Sequence, residues 1–256
     1  MNNTLSGICK VNTSQSRVCL HDACTTAIHE LPFPARIAQV LLHMGTGNTP
    51  GQLSSPTDEP VHPWLSRLLD AYHITDTGVS EGIRRRELQG RKLACSKGCA
   101  ACCRSHTDIP VYTLELVGIN WYVTEKGCGP VRDQLNEQLL DYEEQAGCPF
   151  LVDEVCSIHA MRPMACRQFK VFDTVCRGGE NAWHTRRQDV MEPLKKYSDQ
   201  TFDVTLSFYG IDKKSERRKA IREYRLHGIA RVPRECTRSS LADRMLKHNN
   251  RKTHEI

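Results

Sequence analysis

The sequence predicts a mainly α-helical protein with a small β-hairpin, a compact helical domain organised around a cysteine-ligated metal centre. Three observations predict it. Apolar residues recur at helical spacing in successive stretches between Trp64 and Gly210. One stretch, starting at Cys148, reads as a tight hairpin. Nine of the 13 cysteines fall between Cys95 and Cys176, far denser than chance spreading over 256 residues would place them.

Crowded thiols select between two chemistries, disulfides and metal ligation, and the compartment decides which. Met1–Lys10 has no basic segment followed by an apolar run, so no secretory signal is visible. No stretch reaches the length needed to cross a bilayer. The expected location is therefore cytoplasmic, where thiols stay reduced. Metal ligation is then the better reading, and a secreted, disulfide-stapled protein the poorer one. The electrostatic reason is simple: neighbouring thiolates repel, and a cation of charge two or more removes that cost.

The elements follow in chain order. Residues 1–60 are read as a flexible N-terminal segment, with prolines from Pro32 onward and one short helix, Ala35–Met44, stopped by Gly45-Thr-Gly47-Asn-Thr-Pro50. Within it, Cys19-x-His21-x-x-Cys24 has half-site spacing, but no second ligand pair follows nearby, so these thiols are read as incidental. Cys9 and Cys236 are read as free thiols. Trp64, Leu65, Leu68, Leu69 and Tyr72 share one helical face, and the pattern to Leu88 is one interrupted helix or two. Ile109-Pro110-Val111 is extended, and Thr113 can cap a helix through Trp121 to about Lys126, with Leu114, Val117, Trp121 and Tyr122 as its core stripe. Gly127-Cys128-Gly129-Pro130 breaks it, and a second helix over Val131–Gln145 buries Val131, Leu135, Leu139 and Tyr142. The hairpin turns at Asp153-Glu154. Pro163 suits a helix's first turn, which sets Cys166 where the helix dipole favours a thiolate. One more packing helix lies within Val190–Gly210.

The formal charge of +5 is concentrated at the C-terminal end. Residues 211–256 hold 14 Lys or Arg against 6 Asp or Glu, and the remaining 21 basic and 24 acidic side chains leave the rest slightly acidic. The chain thus divides into residues 1–60, a metal-binding helical domain over 61–210, and a basic C-terminal extension over 211–256.

Two groups of sulfurs carry the chemistry. Cys95, Cys99, Cys102 and Cys103 form the first; Cys148, Cys156 and Cys166 form the second. Two-residue spacing, as in Cys99-x-x-Cys102, lets both sulfurs reach one ion from a single turn. Cys102 and Cys103 are adjacent, so their side chains are expected to diverge, which favours two metals or one multinuclear cluster with a spare thiol. Cys176 would complete a set of eight, enough for two four-sulfur sites. Four thiolates on a divalent ion leave a charge of about −2. Arg162 and Arg167 are expected to donate to ligand sulfurs and offset it. Spacing does not choose between zinc and iron: zinc would make the site structural, an iron–sulfur cluster would add redox chemistry. The number of sulfurs and the adjacent pair tilt the reading towards a cluster.

The sequence Cys95-x-x-x-Gly98-Cys99-x-x-Cys102-Cys103, followed by Cys148-Pro-Phe-Leu, Cys156-Ser-Ile-His159 and Arg162-Pro-x-x-Cys166-Arg167, resembles the YkgJ-type cysteine-cluster family. The resemblance runs from about Leu93 to Phe169. It implies a cytosolic bacterial protein that chelates zinc or iron, and the family's relatives include flagellin lysine N-methylases. His159 departs from the family pattern, which more often carries Tyr there; it either adds a nitrogen ligand or fills the aromatic's place.

Three function classes follow. The first is a metal-binding protein with iron, an iron–sulfur cluster or zinc as cofactor, serving metal handling or electron transfer. The second is a methyltransferase resembling flagellin lysine N-methylases, against which stands the lack of a Gly-rich donor loop after a convincing strand. The third is nucleic-acid binding through the basic tail, which is disfavoured because no aromatic residues interleave the basic run. A metal ion is the expected partner; no membrane and no particular protein partner is implied.

Overall fold

One helix organises the fold. In this computed structural model, which describes residues 45–46, 53–106, 109–142, 147–223, 230 and 241–247, α1 runs unbroken over Pro63–Leu88. Proline at its first position needs no N–H there. Leu65, Leu68, Leu69 and Tyr72 are buried along one face, so the stripe read from the sequence belongs to a single helix. Farther along, Gly78 lets α1 approach a later helix closely: a Cβ there would lie 2.6 Å from the Tyr197 Cβ.

Ahead of α1, β1 (Gly45–Thr46) pairs antiparallel with β2 (Leu53–Ser54). The short helix α2 (Ala101–Ser105) carries Cys102 and Cys103. Helix α3 (Thr113–Trp121) is followed by a π-helical turn over Tyr122–Lys126. Its N-cap is Tyr112, whose N–H is held by Glu115, so the expected Thr113 cap is displaced by one residue. Helix α4 (Gly129–Asp141) buries Arg132, Leu135 and Leu139, and ends before Tyr142.

Strands β3 (Leu151–Val152) and β4 (Val155–Cys156) form the expected hairpin, with Leu151 opposite Cys156. Asp153 (φ 45°) and Glu154 (φ 63°) are both left-handed, the two-residue turn whose twist matches paired strands. A 3₁₀ turn (His159–Met161) leads to α5 (Met164–Gln168), then α6 (Ala182–Thr185). Helix α7 (Lys195–Thr205) packs along α1, with Thr75 and Thr201 hydroxyls 3.1 Å apart in the interface. Helix α8 (Lys214–Arg222) is tied back by the Arg217–Asp203 ion pair.

The main core gathers Leu68 and Tyr72 of α1, Leu114 of α3, Leu139 of α4, and Ile158 and Met161 after the hairpin. Ala220, Ala242 and Met245 are buried in the same core. The expected helix Ala35–Met44 and the thiols Cys9, Cys19, Cys24 and Cys236 lie outside the described residues. No helix is long and apolar enough to cross a membrane, among the described residues.

Candidate metal centre

The first sulfur segment is anchored by an isolated bridge. Leu93 pairs with Phe172, and Ala94 N–H donates to the Val171 carbonyl at 2.9 Å. This places the Cys95 Sγ to accept the Val171 N–H at 3.4 Å. The chain then passes exposed Cys99 and enters α2. There Cys102 and Cys103 sit half-buried, with His106 N–H closing onto the Cys102 carbonyl at 2.8 Å.

The second segment is laid directly on α2. Cys148 N–H donates to the Cys103 carbonyl at 2.7 Å, and Arg104 pairs with Glu154 at the hairpin turn. The hairpin then delivers Cys156, and Ser157 returns both its N–H and its hydroxyl to the Phe150 carbonyl at 2.9 Å each. Pro163 caps α5 in extended backbone (φ −55°, ψ 153°), and Cys166 follows inside that turn.

The Cys103 side chain stands in interacting range of the Cys102, Cys148 and Cys156 thiols. Cys156 and Cys166 stand within electrostatic range of Cys102, and Cys166 also of Cys103. On the other side, Cys95 is in range of Cys99 and Cys102, and Cys176 of Cys95 and Cys99. Seven sequence-identified cysteines thus fall into an inner group (Cys102, Cys103, Cys148, Cys156, Cys166) and an outer pair (Cys95, Cys99) that Cys176 joins.

Cys102, Cys103, Cys156 and Cys166 are pushed above the ordinary thiol range. The bond to Cys103 and then burial raise Cys102 far above the ordinary thiol range. Cys103 is lowered by its bond from Cys102, but the Cys148 bond, burial and the sulfurs of Cys148 and Cys156 carry it up to about 12. Burial pushes Cys156 up to about 11. Cys166 rises well above its ordinary value through burial and then the sulfurs of Cys156, Cys103 and Cys102. The dipole of five-residue α5 is overridden, so Cys166 is not the ready thiolate expected from its place in a first turn.

Cations surround the sulfurs. Arg162 and Lys170 are both half-buried, and burial lowers the basicity of each. Lys170 lies in range of Cys95 and Cys102, and Arg162 in range of Cys156 and Cys166. The Arg162 Nε is buried with no hydrogen-bond partner, a donor facing a sulfur-rich neighbourhood. Arg186 Nη2 donates to Cys176 Sγ at 3.4 Å. Arg167 behaves differently from expectation. Its guanidinium lies 3.9 Å over the Tyr72 ring and donates to Asp76 at 2.6 Å, to the Arg162 carbonyl at 3.0 Å and to the Ala160 carbonyl, not to a sulfur. The His159 Nε2 faces Arg162; desolvation of the ring and the charges of Arg162, Arg167 and Lys170 push its imidazole down to about 4.

The donor set suits a soft metal, since eight free thiols stand among the described residues and N–H groups already point at two of them. As the side chains stand, no three Cys, His, Asp or Glu residues are arranged to hold an ion, among the described residues. Ligation would require these side chains to close onto a shared cation. Cys128, at the N-cap of α4, is disulfide-bonded, which corrects the expectation of uniformly reduced thiols. Sequence reasoning overlooked Glu115 and Lys170. Glu115 sits three residues after its N-cap, a spacing that signals capping; nothing local marks Lys170.

Residues 94–190 match the family model CxxCxxCC, described as "Putative zinc- or iron-chelating domain". This is the cysteine-cluster family that the motifs resemble. No curated protein and no solved structure matches the chain.

Proposed function

We propose that the segment matching the zinc- or iron-chelating family binds its metal through thiols brought from two distant parts of the chain. Cys102, Cys103, Cys148, Cys156 and Cys166 form the inner ligand set. Cys95 and Cys99, joined by Cys176, form an outer set, and Cys102 stands between the two. Sulfurs arranged in this way accommodate either two mononuclear ions or one iron–sulfur cluster with thiols to spare. Zinc would tie the α2 segment to the hairpin; a cluster would add one-electron exchange. The role is metal handling or electron transfer.

The observation that carries this reading is the bond from the Cys148 N–H to the Cys103 carbonyl at 2.7 Å, which sets side by side two cysteines 45 positions apart in sequence. Half-buried thiols in range of Lys170 and Arg162 are suited to becoming thiolates when a cation arrives. The test is anaerobic purification followed by elemental analysis and an absorption spectrum. Iron with acid-labile sulfide identifies a cluster, and zinc alone identifies a structural site. Folded protein free of both metals would overturn the reading.

A further inference from the structure

Glu115 is wholly buried, with no exposed surface at all. Its two oxygens serve two helices. Oε2 accepts the Tyr112 N–H at 3.0 Å, capping α3. Oε1 accepts the Met164 N–H at 2.6 Å, from the first residue of α5, 49 positions away. Capping α3 alone needs one oxygen. The second bond belongs to a five-residue helix, too short to hold its own orientation.

Met164 and Cys166 share that single turn. Whatever fixes the Met164 N–H fixes the direction in which the Cys166 sulfur leaves the backbone. Arg167 ties the far end of this turn, to the Arg162 and Ala160 carbonyls and to Asp76 of α1. A buried carboxylate carries a desolvation cost that apolar packing would avoid, and here two backbone donors and nearby Arg167 offset it.

We infer that Glu115 is a positioning residue for the metal centre, orienting Cys166 by holding the N–H of Met164. The inference rests on the metal-binding reading above. Two substitutions probe one bond from either side. Glu115→Gln weakens the acceptor. Met164→Pro removes the donor at a helix's first position, where proline fits, and Pro163 already has the extended backbone required before proline. Met164→Ala is its control, because it shortens the side chain and keeps the N–H.

Zinc affinity is measured by competition with a chromophoric chelator, and cobalt(II) loading reads the thiolate-to-metal charge-transfer band. Glu115→Gln is expected to weaken zinc about tenfold or more, and Met164→Pro to do so relative to Met164→Ala. Both should lower the cobalt band as Cys166→Ser does. In a Cys166→Ser background, Glu115→Gln should have no further effect on affinity. Additive losses in that double variant, or equal affinities for Met164→Pro and Met164→Ala, would overturn the inference while leaving the metal reading intact. Wild-type protein that binds neither zinc nor cobalt would remove both. If Glu115→Gln does not fold, the proline and alanine pair decides.

Discussion

The Cys148 amide donates to the Cys103 carbonyl at 2.7 Å, so the segment that carries Cys148 is zipped onto α2 beside Cys103. The contact is backbone to backbone, and it brings the two halves of the cysteine motif together before any metal is considered. Tyr142 strengthens it by donating its hydroxyl to the Gly147 carbonyl.

Gly147 makes that contact possible. Its φ is +87°, and a Cβ would stand 2.8 Å from the Cys103 oxygen and 3.0 Å from the Arg104 oxygen, neither of which can move aside. Gly147→Ala is expected to destabilise the protein by about 2 kcal/mol or more and to weaken metal binding. Urea unfolding and chelator competition measure the two effects; unchanged metal affinity would show that this zipper is not needed for the site.

Arg167 is expected to tolerate no replacement by lysine. Its side chain is 4% exposed, forked between Asp76 and two backbone carbonyls, and stacked on Tyr72. A lysine keeps the charge but cannot reach those acceptors as a planar fork. Arg167→Lys should cost about 3 kcal/mol in unfolding free energy. A loss below about 1 kcal/mol would mean the nest is dispensable.

Stability should depend on pH through Glu115. Burial raises its carboxyl from 4.5 to about 7, against the pull of the Tyr112 and Met164 amides and of Arg167. A folded value above the unfolded one gives stability that is fully present below pH 4.5 and lost as pH rises through about 7. Metal-free, reduced protein should therefore lose stability between those limits, by about 3 kcal/mol at most. Glu115→Gln should lack this component; equal pH profiles for the two proteins would contradict it.

Metal binding should release protons. Cys156 and Cys103 are raised to about 11 and 12, so at pH 7.5 each enters the site as a thiol and leaves its proton behind on ligation. Zinc titration in buffers of different ionisation enthalpy should show several protons released per ion, and affinity should climb with pH. Release of fewer than about one proton per zinc would mean the thiols are not the ligands.

The parts of the site that depend on near neighbours in sequence were legible there. The hairpin turn at Asp153-Glu154, the stripe of α1 and the cysteine spacing all follow from local rules. What depends on folding was not. The Cys148 segment is hydrogen-bonded onto the Cys103 backbone, and Cys166 is raised by burial and then by distant sulfurs. Arg167 looked like a sulfur donor from its motif, yet Tyr72 and Asp76 on α1 claim it. Glu115 carried only the mark of a helix cap, and its second bond comes from residue Met164, which no spacing rule connects to it.

X-ray absorption at the metal edge of the anaerobically purified, loaded protein tests the central claim most directly. A shell of sulfur scatterers is expected, about 2.3 Å away for zinc, that loses sulfur in both Cys103→Ser and Cys156→Ser, one from each segment. A shell of oxygen or nitrogen alone, or one unchanged by either substitution, would contradict it.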